Sequence, residues 1–160
     1  WTQAVEKRSG PSALCLSRQN LPFVKRNAAT LAAIARGGYA LAEAEGKAMA
    51  AIIATGSEVD LALKAQAALA QEGVAVRVVS MPNTNAFDRQ DAAYKASVLP
   101  KGLPRVAVEA GVTDGWYKYV GLEGKVVGHD RFGESAPAGV LFKEFGFTVE
   151  NVVKTVKSVL

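Results

Sequence analysis

The fold is decided by residues 50–71, AAIIATGSEVDLALKAQAALAQ, in which an apolar run passes through a short polar turn into a helical pattern. Residues 50–54 carry no polar side chain, which is typical of a strand that is covered on both faces of a sheet. Ser57 stands where a helix N-cap is expected, acidic Glu58 falls in the first turn, and Gly73 follows the end. The stretch therefore predicts a buried strand and a helix that packs small apolar side chains on the sheet.

Strands and helices go on alternating towards the C-terminus. Further strands are predicted at residues 74–80, 105–109 and 126–127. Ser135 is predicted to cap one helix and Thr148 the last one, beyond which valines recur at intervals of three and four residues. Strands joined through helices pair in parallel, because a tight turn cannot join parallel neighbours. We therefore predict a three-layer α/β fold, with helices on both faces of a mostly parallel sheet that has one antiparallel edge strand.

The residues before position 50 predict a different local arrangement. Residues 39–42 and 50–54 are separated by EGK at 45–47, which suits a hairpin turn, so these two strands are predicted to pair antiparallel. A short helix ended by glycines is predicted over residues 28–36. Residues 13–16 (ALCL) predict a short buried strand whose cysteine, Cys15, is a buried and inert thiol.

Composition and charge exclude several classes of protein. Of the 160 residues, 49% are hydrophobic and 21% are charged, which is enough apolar material for one good core. No apolar run reaches the roughly eighteen residues of a membrane span. The net charge of +4 gives little field for nucleic acid, and a single cysteine permits no internal disulfide. A local excess of bases over residues 1–42 predicts either a solvated or interdomain basic surface or a phosphate contact.

Three motifs could carry chemistry, and each also has a structural explanation. Residues 55–58 (TGSE) could bind an anion at a helix start, but they lack the further glycines of a dinucleotide fingerprint and the lysine of a P-loop, so helix capping is the simpler prediction. His129 beside Asp130 suggests a general base, yet no nucleophile is identifiable, and one histidine with one cysteine gives no zinc-type site. The aromatic residues 114–119 (DGWYKY) could stack on bases or sugars, but interface or core packing explains them better.

Several segments resemble, in order and spacing, the closing third of bacterial-type transketolases. The resemblance covers nearly the whole chain and is carried chiefly by residues 16–20 (LSRQN), 53–59 (IATGSEV), 78–82 (VVSMP) and 132–137 (FGESAP). Further matches lie at residues 35–39 (ARGGY), 97–100 (SVLP), 106–111 (VAVEAG), 116–121 (WYKYVG) and 145–148 (FGFT). This agreement is far more specific than any single motif.

The resemblance implies an enzyme that transfers a two-carbon ketol unit between sugar phosphates in the pentose phosphate pathway. The family uses thiamine diphosphate and a divalent metal, Mg²⁺ or Ca²⁺, in a homodimer, and we expect it in the cytoplasm without nucleic-acid or membrane partners. By this resemblance residues 1–26 are the end of the pyrimidine-binding domain. Residues 27–160 are then the C-terminal domain, which in the family has a five-stranded mixed sheet.

Arg18 is the one substrate contact that the resemblance assigns to this chain. In the family, the arginine of the Ser-Arg-Gln segment contacts the phosphate of the sugar substrate, and a guanidinium offers a planar, permanently charged fork for phosphate oxygens. The family's Gly-Asp-Gly motif, its activating glutamate and its catalytic histidines have no match here, and His129 corresponds to none of them. We therefore expect no catalytic, cofactor-binding or metal-binding residue, a start within a longer protein, and no activity from the chain alone.

Two alternatives stay open at the level of the sequence. The chain could be a regulatory module that binds a small molecule or a nucleotide at residues 55–58, or the same region of a dihydroxyacetone synthase. A ligand specific for the folded state raises its melting temperature, so titration with nucleotides and sugar phosphates tests the first alternative, and no shift would disfavour it. The second alternative turns on the choice of acceptor, which in the family depends on residues outside this region.

Overall fold

A computed structural model describes all 160 residues, and a five-stranded sheet forms its centre. The strands are β1 (Tyr39–Ala42), β2 (Ala50–Ala54), β3 (Val76–Ser80), β4 (Arg105–Val108) and β5 (Lys125–Val127). Their order across the sheet is β1-β3-β2-β4-β5, with β1 antiparallel to β3 and every other neighbouring pair parallel. The predicted α/β class, with one antiparallel edge strand in a mostly parallel sheet, is confirmed.

Helices cover both faces of this sheet. They are α1 (Thr2–Glu6), α2 (Ala28–Ile34), α3 (Glu58–Gln71), α4 (Thr84–Asp88), α5 (Ala92–Val98), α6 (Tyr117–Val120), α7 (Ala138–Glu144) and α8 (Val149–Lys157), with a single 3-10 turn at Asp114–Trp116. Side chains of α3 and α8 pack on one face, and those of α4, α5 and α6 pack on the other. None of the helices combines the length and the apolar character that crossing a membrane requires.

The strand β2 lies in the middle of the sheet because all of its side chains are apolar. Each of its five residues is fully buried. Ile52 belongs to the core cluster on the side of α3 and α8, whereas Ile53 belongs to the cluster on the opposite side, with Phe87 and Trp116. A strand buried in this way needs hydrogen-bonded neighbours on both edges and helices on both faces.

The predicted hairpin between β1 and β2 is wrong. β1 pairs antiparallel with β3, with Tyr39 opposite Ser80, while β2 pairs in parallel with β3 and β4. The physical reason is that both edges of β2 are occupied by parallel neighbours, which α3 and the later crossover bring alongside. Residues 45–47 therefore lie in a longer connection, which runs from β1 on one edge of β3 to β2 on the other edge.

The first 27 residues do not form the predicted buried strand. After α1, residues 7–27 contain no helix or strand, residues 13–16 are exposed, and Cys15 is an exposed free thiol rather than a buried one. The apolar run has no strand to pair with, because the free edges of the sheet belong to β1 and β5 and this segment joins neither. The division of the chain at residues 26 and 27 stays a prediction.

Of the N-caps predicted for the last two helices, one is correct and one is wrong. Thr148 caps α8 as predicted, since its hydroxyl oxygen accepts a hydrogen bond from the backbone N–H of Asn151 at 3.2 Å. Ser135 does not cap α7, which begins two residues later than the sequence indicates and has Pro137 before its first residue without a side-chain hydrogen bond. Proline fixes its own φ, which suits a helix start without any capping side chain.

Gly37, after α2, provides a test of the packing between the start of β1 and α4. Its φ of +89° favours glycine, and an added Cβ would collide with the carbonyl oxygen of Asn83 and the backbone nitrogen of Phe87. Gly73 has a φ of +75° but open space around it, so it is the matched control for the backbone angle alone. We expect Gly37→Ala to lower the free energy of unfolding by about 2 kcal/mol more than Gly73→Ala in urea denaturation. Equal losses from both variants would contradict the prediction, because they would show that the close approach of Asn83 and Phe87 to Gly37 adds no cost to the substitution.

Candidate functional site

The carboxyl ends of β2 and β4 are the place in this sheet where a ligand site is expected. The chain leaves β2 through α3 to reach β3 on one side, and it arrives at β4 on the other side of β2 only after β3. The point where the strand order reverses in this way is called a topological switch point. In open α/β sheets the loops on its two sides diverge and leave a crevice. Here those loops are residues 55–58 after β2 and residues 109–113 after β4.

Glu58, the first residue of α3, is a buried acid in this crevice. Its exposed fraction is 4%. One carboxylate oxygen accepts a hydrogen bond from the Ser57 hydroxyl, and the other accepts one from the backbone N–H of Ala110 at 3.3 Å. Burial raises the pKa of Glu58 and the charge of Glu109 adds to the effect, while both hydrogen bonds oppose it. The side chain thus links the end of β2 to the end of β4.

Glu109, one residue past β4, is the second carboxylate of the crevice. It accepts a hydrogen bond from the indole N–H of Trp116, whose ring packs at 5.8 Å from that of Tyr119. No third ligand accompanies the two acids, because the chain contains no group of three His, Cys, Asp or Glu side chains that could hold a metal ion. The crevice therefore offers a buried acid and a hydrogen-bonded carboxylate, but neither a metal site nor a nucleophile–base pair.

The turn at residues 55–58 takes the predicted position but not the predicted hydrogen bond. α3 begins directly after Ser57, yet the Ser57 hydroxyl donates to Glu58 and does not cap the helix. Gly56 and Ser57 line a cavity of about 440 Å³ together with Arg26, whose Nε donates to the Tyr39 hydroxyl at 2.8 Å. Binding of a regulatory ligand at this turn stays a prediction.

Arg18 lies apart from the crevice, in residues 7–27, which contain no helix or strand. Its side chain is exposed and makes neither a hydrogen bond nor an ion pair with any residue of the chain. The structure brings none of the other predicted site residues into contact with it. Its role in phosphate binding therefore stays a prediction that these 160 residues do not test.

His129 and Asp130 do not form a catalytic pair. The imidazole ring stacks on Phe145 with 4.0 Å between ring centroids, and its Nε2 lies 3.1 Å from the carbonyl oxygen of Phe132. The Asp130 carboxylate instead accepts hydrogen bonds from the backbone N–H and the hydroxyl of Thr113, at 2.8 and 2.9 Å. The side chains of these two neighbours therefore contact different loops and do not act on one another.

Two of the three aromatic residues in 114–119, Trp116 and Tyr119, pack in the core, as the simpler interpretation predicts, whereas Tyr117 is exposed. Trp116 and Tyr119 are buried against the face of the sheet that carries Ile53. The burial of Trp116 and Tyr119 leaves these two rings without an exposed face for stacking on a base. By contrast, the Glu58–Glu109 pair could not be predicted from the sequence, because 51 positions separate the two residues and only the order of the strands brings them together.

Comparison with known proteins identifies the family to which this chain is similar. The family described as "Transketolase-like TK C-terminal domain" matches residues 37–148. Transketolase 1 of Escherichia coli is 60% identical over 161 residues, which cover all of this chain and 24% of the relative. The crystal structure of transketolase from Pichia stipitis in complex with sedoheptulose-7-phosphate has a TM-score of 0.78 at 43% identity, over 89% of this chain and 20% of that chain. A split-gene transketolase described as an inactive β4 tetramer has a TM-score of 0.60 at 29% identity, over 77% of this chain and 42% of that chain.

The fold and the matched residues define the class of this domain, a transketolase-type C-terminal α/β domain with a five-stranded mixed sheet. The chain belongs to the transketolase family, as its sequence motifs predict. It spans about a quarter of the length of the curated relatives that it matches.

The raised pKa of Glu58 predicts a particular dependence of stability on pH. The folded protein holds this proton to a higher pH than the unfolded chain does, so the contribution to stability is present at low pH and is lost as the pH rises through the raised pKa. Glu58→Gln cannot ionise, and its amide can still accept from Ala110. We expect this variant to gain stability relative to wild type between about pH 4 and pH 7 in urea denaturation.

Glu123→Gln is the control for this measurement, because it removes one exposed carboxylate elsewhere on the surface. A constant difference between Glu58→Gln and wild type over the whole pH range would contradict the assignment of a raised pKa to Glu58.

Proposed function

We propose that this chain acts as the C-terminal domain of a transketolase that transfers a two-carbon ketol unit between sugar phosphates. The match of the whole chain to the E. coli transketolase is the observation that carries the proposal. The parent enzyme is proposed to be a cytoplasmic homodimer of the pentose phosphate pathway. Within it, the domain supplies packing surface and one contact to substrate, and reacting groups come from elsewhere.

The residues of this chain do not fit a thiamine diphosphate and metal site. No group of three metal-ligating side chains is present, and the two acids of the crevice are engaged by Ser57, Ala110 and Trp116. In the proposed enzyme the cofactor, with Mg²⁺ or Ca²⁺, performs the carbanion chemistry. Residues outside this chain would have to hold both groups, so the chain alone is proposed to be inactive. The inactive tetramer of the split-gene relative, described above, supports this view.

Arg18 is proposed to bind the phosphate group of the sugar substrate. Its guanidinium is exposed and unpaired, and it lies in a segment whose large apolar side chains are also exposed, with Leu16 at 73% and Phe23 at 90%. Apolar side chains exposed to this degree favour a segment that packs on other protein. Such packing would hold the arginine in place for bidentate contacts to phosphate oxygens.

The contribution of Arg18 can be measured in a chimera that joins this chain to the preceding domains of the E. coli relative. We expect the chain alone to give no turnover and the chimera to give turnover. In the chimera, Arg18→Ala should raise KM for phosphorylated sugars about 10- to 100-fold, because a charge-assisted contact of about 1.5–3 kcal/mol is lost. The KM for a sugar acceptor that lacks phosphate should change little.

Arg8→Ala is the matched control, since Arg8 is also an exposed arginine within residues 7–27. Equal effects of the two variants, or equal effects on phosphorylated and unphosphorylated acceptors, would refute the role of Arg18. Turnover by the chain alone would refute the proposed division of labour itself.

A further inference from the structure

A second cavity, of about 390 Å³, lies between α4, α5 and α6. It is on the side of the sheet opposite to α3 and α8, and its apolar wall includes Phe87, Leu99 and Tyr119. Its volume is within the range of small-molecule sites, which combine an apolar wall with a few polar groups. It shares no lining residue with the cavity next to Gly56 or with the crevice of Glu58.

Cationic side chains dominate the charged lining of this cavity. Its charged lining consists of four cationic side chains and one carboxylate, namely Lys95, Lys101, Arg105, Lys118 and Asp88. Three positive charges therefore remain in excess within one small volume. Such an excess raises the local concentration of anions.

Asp88 neutralises only one of these cations. Its carboxylate accepts a hydrogen bond from Lys118 Nζ at 2.6 Å and one from the Tyr119 hydroxyl at 3.0 Å. The hydrogen bond from Lys118 is the main cause that lowers the pKa of Asp88. Lys95 Nζ also approaches this residue, but it donates to the backbone carbonyl oxygen of Asp88 at 3.2 Å, which carries no full charge.

Arg105 and Lys101 have no acidic partner at all. The two terminal nitrogens of Arg105 donate to the carbonyl oxygens of Leu99, Pro100 and Tyr119, at 2.7 to 3.0 Å, and its buried Nε has no acceptor. Burial lowers the pKa of this guanidinium. Lys101 is exposed and makes neither a hydrogen bond nor an ion pair. An incoming anion would thus meet the unpaired Lys101 and the guanidinium of Arg105, whose charge is compensated only by carbonyl dipoles.

We propose that this cavity binds a small ligand that carries two phosphoryl groups. One phosphoryl group has a charge of about −1.5 to −2 near pH 7, which is less than the three positive charges in excess, whereas two groups match them. Lysine ammonium groups bind phosphate oxygens as point charges. In the proposed site, Lys95 and Lys101 are the side chains that contact the ligand. Arg105 contributes its charge from beneath them while holding the carbonyl oxygens in place.

This site is independent of the proposed transfer of ketol units. It uses neither Arg18 nor any residue of the crevice, and it lies within a single domain that the chain contains completely between α4 and α6. We infer binding without turnover, because the one carboxylate of the cavity, that of Asp88, is already engaged by Lys118 and Tyr119. Failure of phosphate binding at this cavity would therefore leave the role of Arg18 untouched, and loss of the Arg18 role would leave this site untouched.

Calorimetric titration of the 160-residue chain with inorganic pyrophosphate tests the proposal, with inorganic phosphate as the single-group comparison. We expect pyrophosphate to bind with one-to-one stoichiometry and about tenfold more tightly than phosphate. Lys95→Ala combined with Lys101→Ala should weaken pyrophosphate binding about tenfold or more. Lys154→Ala is the matched control, because Lys154 is an exposed, unpaired lysine of α8, on the other side of the sheet.

Asp88→Asn gives the sharper test, because a merely structural role for this residue would not tighten binding. The amide can still accept from the Tyr119 hydroxyl, while loss of the carboxylate frees Lys118 and removes the one negative charge of the cavity. We expect pyrophosphate to bind this variant more tightly than wild type by about threefold or more. Absence of pyrophosphate binding to wild type would overturn the proposal. So would equal weakening by the Lys95/Lys101 and Lys154 variants, or unchanged affinity in a folded Asp88→Asn protein.

Discussion

The backbone hydrogen bonds that β2 makes with β3 on one edge and β4 on the other fix the positions of everything else in this protein. Residues 50–54 align with residues 76–80, and residues 51–54 with residues 105–108, so three parallel strands share one register. Because the five side chains of β2 are fully buried, helices must cover both faces, and the crossovers must place their loops at the two ends of the sheet. Polar chemistry is thereby confined to the ends of the strands.

The strand β4 shows how this constraint separates charges of opposite sign. Arg105 begins the strand and belongs to the cationic cavity, while Glu109 follows its last residue and belongs to the acidic crevice with Glu58. Between them, Val106, Ala107 and Val108 are fully buried. The buried middle of β4 thus keeps the two polar regions of this transketolase-type domain apart, one at each end of the strand.

The alternation of strands and helices could be predicted from the sequence because it depends on local apolar periodicity, and the same is true of the packing of Trp116 and Tyr119. The partner of β1 could not be predicted, because the local turn signal at residues 45–47 favours a hairpin with β2. The α3 crossover instead places β3 beside β2, and β1 pairs with the other edge of β3. The prediction of a buried Cys15 is wrong for a related reason, because an apolar run is buried only where a neighbouring surface exists. The residues of the acidic pair are far apart in the chain and meet only through the strand order, and the cationic cavity forms only where α4, α5 and α6 pack together, so the tertiary structure is needed to reveal both.

Native-state hydrogen exchange on the 160-residue chain tests most directly the claim that β2 organises the fold. The amides of residues 51–54 should exchange only through global unfolding, and their free energy of exchange should equal the free energy of unfolding from denaturant titration. The amides of residues 7–27 should exchange nearly as fast as those of an unfolded peptide, since this segment contains no helix or strand. Protection in residues 7–27 equal to that in β2, or exchange of β2 through local opening while β3 and β4 stay protected, would contradict the account.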